Sequence, residues 1–354
     1  MNTMGRVMLG AAEPVSGVTE TGDRFFDRLV DLARHLTDAA PAPHVDRDLS
    51  ARLLLPRVRE ATYSAPPAHV RELDVPRRRG SVSTRIYRPR FLRADRPLLV
   101  WCHGGAFVGG DLDMPEAEVV GRELAVRADA VVISVAYRLC LDGVHFPSPN
   151  EDVLAVYEWA LAHAASLGVD ADRIAVGGVG AGACLAAAAA VRLRDEGRST
   201  PASIVLVSPI VHAVLPTASD ELAKKVARLS RALSPRPDVV EAMVENYAGA
   251  RIGEIPHGAL AGDIDDHFGL APTLILNAEY DPLRASGEYF ASQLRAADVE
   301  VMEETVTGVA HGYLNRAGHP QAARTLATIA KWIATVTRNA DTPNPLQNRP
   351  AGWI

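Results

Sequence analysis

The stretch Gly177-Gly178-Val179-Gly180-Ala181-Gly182-Ala183-Cys184-Leu185 decides the fold. An apolar run, Arg173-Ile-Ala-Val-Gly, leads into it, and an alanine-rich helical run from Ala186 to Arg194 leads out. The order is strand, sharp turn, helix. Glycines suit such a junction because they tolerate positive φ and let strand and helix backbones approach closely.

The same alternation continues on both sides. Leu98-Leu-Val-Trp-Cys, Val131-Val-Ile-Ser-Val, Ile204-Val-Leu-Val, Thr273-Leu-Ile-Leu-Asn and Val299 to Val306 are short apolar strands, with amphipathic helices expected around 116–127, 150–165, 183–196, 284–297 and 320–336. Apolar strands alternating with helices specify a mostly parallel central sheet covered on both faces, an α/β fold. Upstream, Val70-Arg-Glu-Leu-Asp-Val-Pro and Val82-Ser-Thr-Arg-Ile-Tyr alternate apolar and polar residues around Arg77-Arg-Arg-Gly. They predict an antiparallel hairpin at a sheet edge with a solvated basic tip. Helical stripes through Phe25, Leu29, Leu32, Ala33 and Leu36, and through Leu49, Leu53, Leu54 and Val58, precede it. The chain therefore divides into an irregular, mobile lead-in (1–20), N-terminal cap helices (21–65), an α/β core (66–209 and 263–340), an inserted helix-prone cap segment (210–262) and an irregular tail (341–354). No internal repeat is present.

A chain of 354 residues, 48% hydrophobic and 23% charged, can bury one large α/β core plus a cap. A formal net charge of −6 supplies no basic field for nucleic acid or anionic lipid, so the expected partner is a small molecule, with no nucleic acid and no membrane. Cys102, Cys140 and Cys184 form a sparse, odd set without CxxC spacing, which suits a reducing compartment and implies the cytoplasm. Met1 to Glu20 lacks a basic segment followed by an apolar core, and no run of about 18 apolar residues occurs, so neither export signal nor membrane span is expected.

Candidate chemistry lies beyond the strand ends. His103-Gly104-Gly105-Ala106-Phe107-Val108-Gly109-Gly110-Asp111 is a glycine-rich loop that exposes backbone N–H groups. Asp281 stands in Asn277-Ala-Glu-Tyr-Asp-Pro-Leu, and His311 in Gly308-Val-Ala-His-Gly-Tyr. The strand–turn–helix context belongs to the elbow pattern G-x-S-x-G, whose serine occupies the apex of the turn; here the apex is Gly180. Elbow, acid and base at 180, 281 and 311 follow the order of the α/β-hydrolases and of no other triad.

On these residues the chain resembles the hormone-sensitive-lipase group of α/β-hydrolases, which includes bacterial esterases and plant carboxylesterase-like proteins. The similarity runs over roughly 70–335 and includes His103-Gly-Gly, Gly109-Gly-Asp, Tyr137-Arg-Leu, Phe146-Pro, Glu151-Asp, Arg173-Ile-Ala-Val-Gly-Gly, Ala278-Glu-Tyr-Asp-Pro-Leu and Ala310-His-Gly. It implies an α/β-hydrolase fold whose helical cap is formed by 20–65 with 210–262, with Asp281 and His311 as acid and base and backbone N–H groups of Gly104, Gly105 and Ala181 as the oxyanion hole. It implies no cofactor and no metal, and it is compatible with a homodimer. The departures cluster at the elbow: the group's G-D-S-A-G-G-N reads Gly178-Val-Gly-Ala-Gly-Ala-Cys184, and the third glycine of H-G-G-G is Ala106.

Losing the serine of a triad costs on the order of 10⁶ in kcat, which removes ordinary acyl-enzyme chemistry. What is left is a carboxylate-oriented histidine beside N–H donors. That set fits a non-hydrolytic elimination, cyclisation or isomerisation of a small, largely apolar carbonyl compound, with Gly180 making room for substrate. Two alternatives stand beside it: hydrolysis of an ester, lactone or epoxide by a His-activated water, and a non-catalytic binding protein. Cys184, one helical turn past Gly180, cannot reach the apex and is read as a packed small hydrophobe. Asp111, Asp113, Glu116, His145 and Tyr313 fall near the motif loops without an assigned role.

Overall fold

A computed structural model describes residues 63–91, 93–229 and 237–336. The expected lead-in, the N-terminal helices before residue 63 and the tail lie outside the described residues. Eight strands form one sheet: β1 (His69–Pro76), β2 (Ser81–Arg88), β3 (Arg96–Cys102), β4 (Val131–Val135), β5 (Val169–Val179), β6 (Ile204–Val207), β7 (Thr273–Tyr280) and β8 (Val301–Ala310), in spatial order β1-β2-β4-β3-β5-β6-β7-β8. β1 pairs with β2, and β2 with β4, antiparallel; every other pairing is parallel. This is the mostly parallel sheet that the sequence predicts, with an antiparallel hairpin at its edge.

The apolar strands are apolar because both their faces are covered. Along β3, Leu98, Val100 and Cys102 belong to one core, and Leu99 and Trp101 to the other. Helices α1 (Pro115–Arg127), α2 (Ser148–Ala162), α3 (Ala164–Leu167), α4 (Ala181–Asp195), α5 (Asp220–Val226), α6 (Pro237–Ala248), α7 (Arg284–Ala296) and α8 (Pro320–Thr335) complete the described elements. One helix expected around 150–165 is two, α2 and α3, because His163 leaves the helical region at their junction. The segment 210–262 carries α5 and α6 between β6 and β7.

The basic hairpin tip differs from expectation in one residue. Arg77 is not merely solvated: its Nη1 pairs with Asp152 at 3.2 Å, a carboxylate that Arg138 also engages through Nε at 2.9 Å. Asp152 is 1% exposed, and a buried carboxylate requires such cationic partners. The hairpin is thereby tied to α2.

Parallel strands leave their carboxyl ends on one side of the sheet, the side where loops of open α/β folds carry ligand chemistry. Gly180 is one residue past β5, Asp281 one past β7 and His311 one past β8. His103 is one residue past β3.

Candidate active site

The elbow is built as its glycines demand. Gly180 has φ 52° and ψ −112°, a left-handed conformation that side-chain-bearing residues rarely adopt. Its N–H donates to Val207 O at 2.9 Å, and its carbonyl accepts from Cys184 N–H at 3.1 Å, so the turn is pinned between β6 and the first turn of α4. A Cβ on Gly182 would lie 2.2 Å from Cys102 O and 2.3 Å from His103 O, which is why helix and β3 can meet only at a glycine. Ala181 to Ala190 are buried throughout, and the small side chains let α4 pack tightly on the sheet.

Asp281 and His311 meet across β7 and β8. His311 Nδ1 lies 2.8 Å from Asp281 Oδ2, and Asp281 Oδ1 accepts Leu283 N–H at 2.9 Å. A carboxylate only accepts, so Nδ1 carries the proton and Nε2 presents a lone pair. The Nε2–Cε1 edge of the ring borders the elbow: a Cβ on Gly180 would stand 3.4 Å from both atoms. Chain neighbours aside, no other described heavy atom comes within 4 Å of that point, so no serine or cysteine among the described residues takes the apex. Asp281 is 1% exposed, whereas the His311 side chain keeps 38% exposure. Burial pushes the imidazole pKa down, but the charge and hydrogen bond of Asp281 and the charge of Glu116 outweigh it and hold His311 above its ordinary value.

The three backbone donors do not stand alike. Gly105 and Ala181 N–H have no hydrogen-bond partner among the described residues. Gly104 N–H is taken: it donates to Glu116 Oε1 at 2.6 Å. Of the three, Gly105 and Ala181 keep an N–H without a described partner, and Gly104 serves the loop. Ala106 and Phe107 both take positive φ (51° and 64°), the sharp course that turns this loop over the strand end.

His103 is structural. It is 2% exposed, stacks on Tyr137 at 4.4 Å, and its Nδ1–H donates to Gly104 O at 2.6 Å; burial pushes its pKa down, so the ring is neutral. The three thiols are free and buried. Burial pushes Cys140 up to about 12 and raises Cys102 and Cys184 further, so none supplies a thiolate. Asp111 caps the N–H groups of Asp113 and Met114, Asp113 pairs with Arg85, His145 Nδ1 bonds Asn246 O, and Tyr313 OH bonds Thr325. Each of these is accounted for by packing. Cavities of about 340 and 460 Å³ border Arg88, Ser166 and Leu167, and neither touches the elbow, Asp281 or His311.

Glu116 and Asn315 are the site residues that sequence reasoning left without a role. Glu116 Oε2 accepts Asn315 Nδ2–H at 2.7 Å across 199 residues of chain. In the sequence, Glu116 reads as an ordinary first-turn acid after Pro115, and nothing local marks Asn315.

A family model described as alpha/beta hydrolase fold matches residues 99–315. Esterase LipI of Mycobacterium tuberculosis is 34% identical over 259 residues, 72% of this chain and 77% of the relative. Carboxylesterase NlhH of the same species is 33% identical, covering 73% and 81%, and an arylesterase of Saccharolobus solfataricus is 30% identical, covering 75% and 82%. Among solved structures, an esterase of Pyrobaculum calidifontis superposes with a TM-score of 0.69 at 27% identity, over 92% of this chain and 95% of that one. No helix among the described residues is long and apolar enough to cross a membrane. With the elbow, the Asp281–His311 pair and the strand order all in place, the chain belongs to the alpha/beta hydrolase family, in its hormone-sensitive-lipase-type branch.

Proposed function

We propose that this protein hydrolyses a small, largely apolar carboxylic ester with His311 activating water directly, Gly180 standing at the apex that the elbow pattern G-x-S-x-G gives to a serine. One observation carries the reading: Nε2 of His311 borders the apex of the elbow, 3.4 Å from the Cβ position of Gly180. The esterase names of the relatives favour hydrolysis over the elimination, cyclisation or isomerisation that the sequence alone suggests.

In this reading His311 Nε2 accepts a proton from water as its oxygen bonds the acyl carbon. The carbonyl electron pair moves onto oxygen, where the N–H groups of Gly105 and Ala181 meet it. The imidazolium, stabilised by Asp281, then returns the proton to the departing alkoxide, leaving acid and alcohol. A positioned base contributes typically 10²–10⁴-fold, and one oxyanion donor roughly 10²–10³-fold, so the expected enzyme is slow beside a serine esterase. No cofactor enters.

The direct test uses p-nitrophenyl acetate and butyrate with wild type and His311→Ala. Wild type should turn over without a burst, and His311→Ala should lose about 10²–10⁴ of that rate. The free base acts, so the rate should rise with pH through a midpoint above the ordinary histidine value of about 6.5 and then level off, since Asp281 and Glu116 favour the charged ring. No turnover of esters, lactones or epoxides would sink the hydrolytic reading. A second reading keeps the same base. In it a substrate C–H, rather than a water, gives its proton to His311 Nε2 at the apex of the elbow. Solvent deuterium appearing in recovered carbonyl substrate, without hydrolysis, would select that proton-transfer chemistry. Tight retention of a ligand, indifferent to His311→Ala, would select a binding protein.

A further inference from the structure

We propose that Glu116 is a positioning residue that clamps the His311 loop to the glycine loop and couples electrostatically to the imidazole. The inference rests on His311 being the proton-handling group of the proposed reaction, but it is tested without turnover. Glu116 is 2% exposed at the start of α1. Its two carboxylate oxygens take donors from the two halves of the site: Oε1 from Gly104 N–H at 2.6 Å and Oε2 from Asn315 Nδ2–H at 2.7 Å. Its own N–H donates to Asn315 Oδ1 at 3.3 Å, so Asn315 holds the residue through both amide atoms. Asn315 closes the short 3₁₀ turn Tyr313–Asn315 directly after His311, and Gly104 opens the loop that contains Gly105. The carboxylate also lies under the elbow: a Cβ on Gly104 would be 2.7 Å from Glu116 Oε1 and 3.3 Å from Val179 O.

Burying a carboxylate is costly unless donors and a countercharge meet it. Burial pushes Glu116 above its ordinary value, while the Gly104 bond, the His311 charge and the Asn315 bond pull the other way. The same coupling raises His311. Of the titratable groups around the pair, Asp281 bonds the far nitrogen of the imidazole, and His103, in the glycine loop, is neutral. Glu116 therefore joins the glycine loop to the loop that carries the base. It also accounts for an acid at a site that has to stabilise an anion: the carboxylate takes the Gly104 amide and leaves the Gly105 amide for the oxyanion.

The test is the titration of His311 followed by NMR of ring-labelled full-length protein, in wild type, Glu116→Gln and Glu116→Asp. Glu116→Gln should move the His311 midpoint downward, because one negative charge that favours the imidazolium is gone. Glu116→Asp should keep it near wild type. An unmoved midpoint in a folded Glu116→Gln overturns the proposal. Should that variant not fold, the reciprocal measurement decides, since coupling acts equally in both directions. The Glu116 carboxyl titration, read by ¹³C NMR, must move upward in His311→Ala, and an unchanged value overturns the proposal equally. A shifted midpoint in a protein that hydrolyses nothing would leave Glu116 as assigned and remove the reaction instead.

Discussion

Gly180→Ser is expected to raise kcat/KM for short-chain p-nitrophenyl esters by at least about 10², and to make the protein react covalently with a fluorophosphonate that wild type ignores. Among the described residues, chain neighbours aside, the added Cβ meets only His311 Cε1 and Nε2, both at 3.4 Å, so the ring has to give by a few tenths of an ångström at most. The hydroxyl then falls within hydrogen-bond reach of Nε2, the geometry a nucleophile and its base need. In the proposed mechanism the tetrahedral oxygen meets the N–H groups of Gly105 and Ala181. A full triad is worth on the order of 10⁶, and the expected gain is set lower because Ala106 stands at the third glycine of the H-G-G-G pattern. Stability should move the other way. Serine at φ 52° and ψ −112° stores roughly 1–3 kcal/mol of backbone strain that glycine does not, so the denaturant midpoint should fall while activity rises. A folded Gly180→Ser that neither hydrolyses ester nor takes the fluorophosphonate would show that His311 and the N–H donors do not form a working acyl-transfer site.

What the sequence disclosed, and what it withheld, follows from the range of the interactions. The elbow, the apolar strands and the hairpin are local patterns, so β5, Gly180 and α4 were readable from glycine spacing and apolar runs alone. Asp281 and His311 were readable because each ends a strand, and the parallel order of β5, β7 and β8 brings their loops together on one side of the sheet. Arg77 reads as a solvated tip in the sequence because its partner, Asp152, lies in α2, far along the chain. The N–H of Gly104 reads as free for the same reason. The group that occupies it, Glu116, is twelve residues away on α1 and is steered by Asn315, a contact across 199 residues. Long-range polar pairing leaves no periodic trace, whereas burial and turn geometry do.

Asp281→Asn separates the two things a carboxylate can do for a histidine. Its Oδ1 already accepts Leu283 N–H, so asparagine keeps its oxygen there and presents its NH₂ to His311 Nδ1. A donor facing Nδ1 forces the proton onto Nε2, and the lone pair turns away from Gly180. Were Asp281 only a charge, its removal would lower the His311 pKa, leave more free base in acid, and raise the rate below neutrality. Because it fixes the tautomer, the rate should instead fall at every pH, by up to about 10⁴, the size of the corresponding loss in serine proteases. Side-chain volume is unchanged and the Leu283 bond survives, so the variant should fold, and circular dichroism would check that. Activity of a folded Asp281→Asn within a few-fold of wild type, at any pH, would remove Asp281 from the mechanism. It would also mean that the 2.8 Å contact serves packing at the ends of β7 and β8 rather than proton transfer.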